Sequence, residues 1–174
     1  QLDAIAAVKP GARYRDVHLT ACRTLARGLV QLGLLHGEVD GLIERGAHAL
    51  FFPHGIGHLL GLDVHDMEDL GDRAGYALGR SRSAQFGLSY LRLDRDLLPG
   101  MAVTIEPGIY FVPQILRSPK PLARLGADLR TDRLPDFADV RGIRIEDDVL
   151  VTQAGHEVLT RDIPKTGAAV EAAM

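Results

Sequence analysis

Residues 101–111 read MAVTIEPGIYF, and residues 142–152 read GIRIEDDVLVT. Both are rich in β-branched and apolar residues. Pro99-Gly100 precedes the first and the turn QAGHE follows the second, so each is expected to be a strand, the first interrupted only at Pro107-Gly108. Within the first, Glu106 breaks an apolar run. An isolated carboxylate in apolar surroundings is costly, so Glu106 requires a cation, an arginine or several hydrogen-bond donors. In the second, a two-residue period places Arg144, Glu146 and Asp148 on one face, with Ile143, Ile145 and Asp147 on the other. An arginine beside a carboxylate can orient it and keep it ionised.

Upstream lies HGIGHLLGLDVHD (54–66), which holds three of the seven histidines: His54, His58 and His65. The HGIGH spacing matches the two histidines of HExxH. That motif needs a helix and a Glu at its second position, and Gly55 and Gly57 oppose both. An extended strand with a tight turn is expected from Phe51 onward. A rise of ~3.3 Å per residue then puts His54 and His58 roughly 13 Å apart, too far to share one ion. One imidazole joined by two carboxylates from neighbouring β segments is a hard N/O donor set suited to Mn²⁺, Co²⁺ or Zn²⁺. Such a set points to metal-assisted hydrolysis, with a Glu taking a proton from water and a free His serving the intermediate or leaving group.

Working outward, Tyr14, Val17, Ala21, Leu25, Leu29 and Leu32 recur at helical steps and predict an amphipathic helix over 12–35. A shorter helix is expected from Glu38 to about Ala49. Residues 69–97 read as a long polar loop, of a length more often functional than idle. A Pro-, Leu- and Arg-rich insertion separates the two strand segments, and 166–174 predicts a terminal helix. The class is α+β.

The 174 residues are 46% hydrophobic and 25% charged, the composition of an ordinary globular domain. Twenty Lys+Arg against 23 Asp+Glu give a net charge of −3, which argues against nucleic acid as a partner. No apolar run approaches the ~20 residues of a membrane span, and the start, QLDAIAAVKPG, lacks a signal-peptide pattern. A soluble, cytoplasmic protein is expected. Cys22 is the single cysteine and is read as a buried inert thiol in an apolar helix.

HGIGHLLGLDVHD, LLPGMAVTIEPGIYF (97–111) and GIRIEDDVLVT, in this order and spacing, resemble the pita-bread metallopeptidases of the aminopeptidase P and prolidase group. The resemblance spans almost the whole chain. It implies that His58, Glu106 and Glu146 are metal ligands of a pair of divalent ions, most often Mn²⁺, with Glu146 bridging them. Glu106 would also accept the proton of the attacking water. It further implies that His54 and His65 bind substrate and stabilise the intermediate without touching metal, and that Arg144 backs the carboxylates. The substrate would be a peptide with proline second, and a homodimer is implied for the longer protein.

The same resemblance implies two further ligands, aspartates on a hairpin upstream of the histidines. Asp3, Asp16 and Asp40 lie in helical or capping contexts without a hairpin pattern. Residues 1–174 are therefore expected to be part of a catalytic domain, mainly its C-terminal half, without activity alone. LRLDRDLLPG (91–100) is similar to a prolidase segment whose arginine, here Arg92, grips the free carboxylate of a dipeptide. Aminopeptidase action on longer peptides is the leading expectation, with dipeptidase action as its alternative. A catalytically dead peptide-binding module is the alternative of another class, and non-metal amidinohydrolases share the fold.

Overall fold

The computed structural model describes residues 1–174. The helical pattern near the start forms α1 (Leu2–Ala6) and α2 (Tyr14–Gln31), the latter inside the expected 12–35 window. One face of α2 buries Tyr14, Val17, Ala21, Cys22, Ala26 and Leu29. The next helix, α3 (Val39–Arg45), stops short of Ala49 because Gly46 turns left-handed at φ 80°. A 3₁₀ turn, Ala47–Leu50, follows and leads into the histidine-rich stretch.

The strand expected from Phe51 is mostly absent: only β1 (Leu59–Leu60) is regular. Residues just before it bond to the neighbouring strand outside a regular ladder, with Glu106 N–H donating to the Ile56 carbonyl at 2.7 Å. The 69–97 region contains α4 (Asp72–Gly75) and short 3₁₀ turns but is otherwise irregular, as expected. Buried Asp94 anchors it to the start of α2 through a two-pronged bond with Arg13, both contacts at 2.6 Å.

Both expected long strands are split. The first gives β2 (Ala102–Ile105) and β3 (Gly108–Tyr110), and the break falls at Glu106-Pro107, where proline cannot donate to a ladder. Two small helices of the insertion, α5 (Pro113–Leu116) and α6 (Pro119–Leu125), come next. The second segment gives β4 (Gly142–Arg144) and β5 (Asp147–Val151), broken at Ile145-Glu146, followed by β6 (His156–Val158) and α7 (Gly167–Ala173). A four-stranded antiparallel sheet runs β1-β2-β5-β6, while β3 and β4 pair as a separate ribbon.

This split corrects the expected common face of Arg144, Glu146 and Asp148. The strand is interrupted between the arginine and β5, and within β5 it is Asp147, Val149 and Val151 that are buried. Asp147 is the buried carboxylate there, held by Lys165 Nζ at 2.9 Å and by the Thr160 hydroxyl at 2.6 Å. Arg144 and Glu146 remain neighbours, with guanidinium and carboxylate 3.9 Å apart.

The main core joins α1 and α2 to the four-stranded sheet through Ile5, Val8, Tyr14, Val17, Val103, Ile105, Val149 and Val151. A second core packs the insertion, through Leu116, Leu125 and Leu129, against Leu29, Leu42 and Phe51. Glu106 and Glu146 both lie where paired strands leave one sheet for the other.

Candidate metal centre

Gly57 sets the first distance in the site. A side chain there would collide with the Thr104 carbonyl oxygen, its hydroxyl and the Tyr14 hydroxyl, so only glycine lets this backbone lie against β2. The approach is fixed on both sides: His58 N–H donates to Thr104 Oγ1 at 3.0 Å, and Thr104 N–H donates to the His58 carbonyl at 3.0 Å. The Tyr14 hydroxyl donates to the Thr104 carbonyl at 2.6 Å, locking β2 to α2.

His58 is buried and donates its Nδ1 proton to the Leu59 carbonyl at 3.0 Å. That bond directs the Nε2 lone pair toward Glu106 Oε1, 3.3 Å away. Two electron-rich atoms facing at this distance call for positive charge between them. Glu106 also accepts from the Thr104 hydroxyl at 3.1 Å and faces Arg144 at 3.4 Å. Donor atoms of His58, Glu106 and Glu146 all lie within 4.8 Å of one another. Burial and the neighbouring Glu106 carboxylate raise the Glu146 pKa above its ordinary value. The donor set and its convergence fit a divalent ion.

His54 stands apart from this cluster. Its Nδ1–H donates to the Gly55 carbonyl at 2.7 Å and its Nε2 accepts from the Tyr110 hydroxyl at 3.0 Å. Burial lowers its pKa, so it is neutral at pH 7. The His65 ring packs edge-on against His58 with centroids 4.3 Å apart, and its Nδ1 lies 3.7 Å from Glu68. Arg92 pairs with Glu68 and lies 3.5 Å from His65 Nδ1. A cleft of about 630 Å³ opens beside these groups, lined by His54, His58, Glu68, Tyr90 and Arg92 among others.

Thr104, Tyr110 and Glu68 escaped the sequence reading. Thr104 could have been found, since it sits two residues before Glu106 in a β pattern. Glu68 carried no such signal, because its meeting with Arg92 depends on how an irregular loop folds back.

The model of metallopeptidase family M24 matches residues 1–153. The chain belongs to this family. Human Xaa-Pro dipeptidase is 40% identical over 168 residues, 97% of this chain and 33% of the relative. Among solved structures, Pseudomonas aeruginosa aminopeptidase PepP superposes with a TM-score of 0.66 at 38% identity, covering 99% of this chain and 31% of that one. Zn-substituted Escherichia coli aminopeptidase P in complex with product gives 0.67 at 34% identity, covering 98% and 31%. The M24 chain thus spans about a third of the length of the relatives it matches. Its fold is α+β and corresponds to part of the pita-bread fold of aminopeptidase P, about a third of those chains. Membership in M24 and the convergent donors make divalent metal its cofactor class. No helix is long and apolar enough to cross a membrane.

Proposed function

We propose that this chain carries three metal ligands, His58, Glu106 and Glu146, of a dinuclear M24 centre that removes the residue preceding proline from the N-terminus of peptides. The observation that carries the proposal is the convergence of these three donors within 4.8 Å beside an open cleft. Three donors do not fill two coordination spheres, so the remaining ligands belong to other parts of the catalytic domain, of which residues 1–174 are one part. Bound divalent ions supply Lewis acidity and lower the pKa of water. Mn²⁺ suits this carboxylate-rich set, and Co²⁺ or Zn²⁺ can replace it.

The chain's own groups divide the remaining work. Glu106, fixed by Thr104 and Arg144, takes the proton of the attacking water at its carboxylate. His65, packed against His58, donates a hydrogen bond to the oxygen on which charge develops. His54, neutral and oriented by Tyr110, binds the substrate backbone. Arg144 sets its positive charge beside both glutamates and holds them in position. Arg92 faces the cleft as the carboxylate reader of short substrates, and Glu68 holds it in place until one arrives. A cytoplasmic location and a homodimer of the longer protein are part of the proposal.

The test is hydrolysis by the metal-loaded, full-length protein, with its complete catalytic domain, of Xaa-Pro-Xaa tripeptides, Xaa-Pro dipeptides and Xaa-Ala controls. Cleavage confined to proline-containing peptides and faster on tripeptides is expected. Preference for the dipeptide would make it a prolidase, and binding without cleavage would make it a recognition module.

A further inference from the structure

Behind the cleft, a second set of donor-bearing side chains meets inside the core. His18 and Cys22 lie four residues apart on one face of α2, and His48 comes from the 3₁₀ turn Ala47–Leu50. All three are buried, and their donor atoms lie within 4.8 Å of one another. One contact is satisfied, His18 Nε2 to Cys22 Sγ at 3.3 Å. His18 Nδ1 and both ring nitrogens of His48 are buried with no hydrogen-bond partner. Folded interiors leave few such atoms unpaired, and none of the three residues belongs to the peptidase centre.

We propose that His18, Cys22 and His48 form a second, buried metal site that takes one thiophilic ion of the Zn²⁺ type. Two imidazoles and a thiolate are a borderline-soft donor set, which prefers Zn²⁺ over the hard Mn²⁺ suited to the carboxylates of the cleft. Bonds of ~2.0–2.3 Å to a tetrahedral ion require donors roughly 3.3–3.8 Å apart. The His18–Cys22 pair already meets that spacing, and a His48 ring nitrogen, within 4.8 Å of both, must draw in to complete it. Burial holds the His18 pKa down to about 3 and that of His48 to about 4, so each ring keeps a lone pair at neutral pH. Burial raises the Cys22 thiol, so its sulfur ionises only when an ion takes the place of the proton. On binding, the S–H bond breaks, the sulfur pair forms the bond to the ion, the proton leaves to solvent, and a water fills the fourth position. No electron changes hands.

Such an ion would tie α2 to the turn that feeds the cleft. Phe52 lies between the two regions, its ring centroid 5.3 Å from His18 and 4.8 Å from His54. The role is structural: it fixes the wall on which His54 stands.

Co²⁺ is the probe that separates the two sites, because the cleft offers no sulfur. Wild-type protein titrated with Co²⁺ should develop a thiolate-to-cobalt charge-transfer band in the near ultraviolet, and Zn²⁺ should bleach it. Cys22→Ala should lose the band and one equivalent of bound Zn²⁺ per chain. His48→Ala should bind at least tenfold more weakly, and His58→Ala should retain the band. Absence of the band in wild-type protein overturns the proposal, whether or not any variant folds. So do equal Zn²⁺ stoichiometries for wild-type and folded Cys22→Ala protein.

Discussion

Thr104 and Glu106 sit two positions apart at the end of β2, and the Thr104 hydroxyl donates to Glu106 Oε1 at 3.1 Å. The same oxygen of Thr104 accepts the backbone N–H of His58, so one buried hydroxyl sets the spacing between an imidazole and a carboxylate from different segments. Removing it while keeping the shape should loosen both. Thr104→Val leaves a buried N–H and a carboxylate oxygen without a partner, at a cost of ~1–3 kcal/mol in unfolding free energy. Thr104→Ser should stay within ~1 kcal/mol of wild type, since it keeps the hydrogen bonds. Urea denaturation of the two variants checks the difference.

His58 and His65 touch edge to face, yet only His58 has its Nε2 aimed at Glu106. In the active enzyme His58→Ala should lose metal. His65→Ala should keep its metal while kcat falls by ~10²–10⁴-fold, the range of a lost acid-base or hydrogen-bonding group. Elemental analysis beside steady-state kinetics measures both. Similar metal loss in the two variants would mean that these roles are wrongly assigned.

Arg92 is tied to Glu68 at the edge of the cleft. Charge-assisted bonds contribute ~1.5–3 kcal/mol, so Arg92→Ala should raise KM for Xaa-Pro dipeptides by about 10- to 100-fold. KM for longer peptides, whose carboxylate lies elsewhere, should change little. Equal effects on both substrate lengths would remove Arg92 from substrate recognition.

How much of this was legible in advance differs from residue to residue. The α2 face, the donor types of one imidazole and two carboxylates, and the interruption of an apolar strand by Glu106 follow from local pattern, while the choice of His58 among the three histidines rested on the family resemblance. What the pattern could not show is where strands end. Alternation in 142–152 was read as one strand, but the pair β2–β5 and the pair β3–β4 belong to different sheets, so the chain bends at Glu146. That bend is what turns Glu146 toward Glu106, and it makes Asp147 the buried carboxylate of β5. His18 and His48 carried no motif. They meet only because α3 ends at Gly46 and the chain folds back on α2, a tertiary event with no local signature.

His18 and His48 also predict how stability depends on pH. Burial lowers both pKa values, to about 3 and about 4, below the ordinary ~6.5 of an unfolded histidine. Between these values the unfolded chain binds more protons than the folded one. The stabilisation from keeping them neutral is therefore fully present above about pH 6.5 and is lost as pH falls toward 4 and then 3. In metal-free protein, unfolding free energy should drop steeply from pH 7 to pH 5, and His48→Gln should flatten that slope. An unchanged slope in this variant would show that His48 is not held neutral.

The central claim is that His58, Glu106 and Glu146 act together as metal ligands, and locating the ion tests it most directly. Anomalous diffraction from crystals of the Mn²⁺-loaded enzyme should place a peak ~2.0–2.3 Å from His58 Nε2 and from oxygens of both glutamates. A fully loaded crystal with its manganese elsewhere, and these three side chains paired only with each other, would contradict the account.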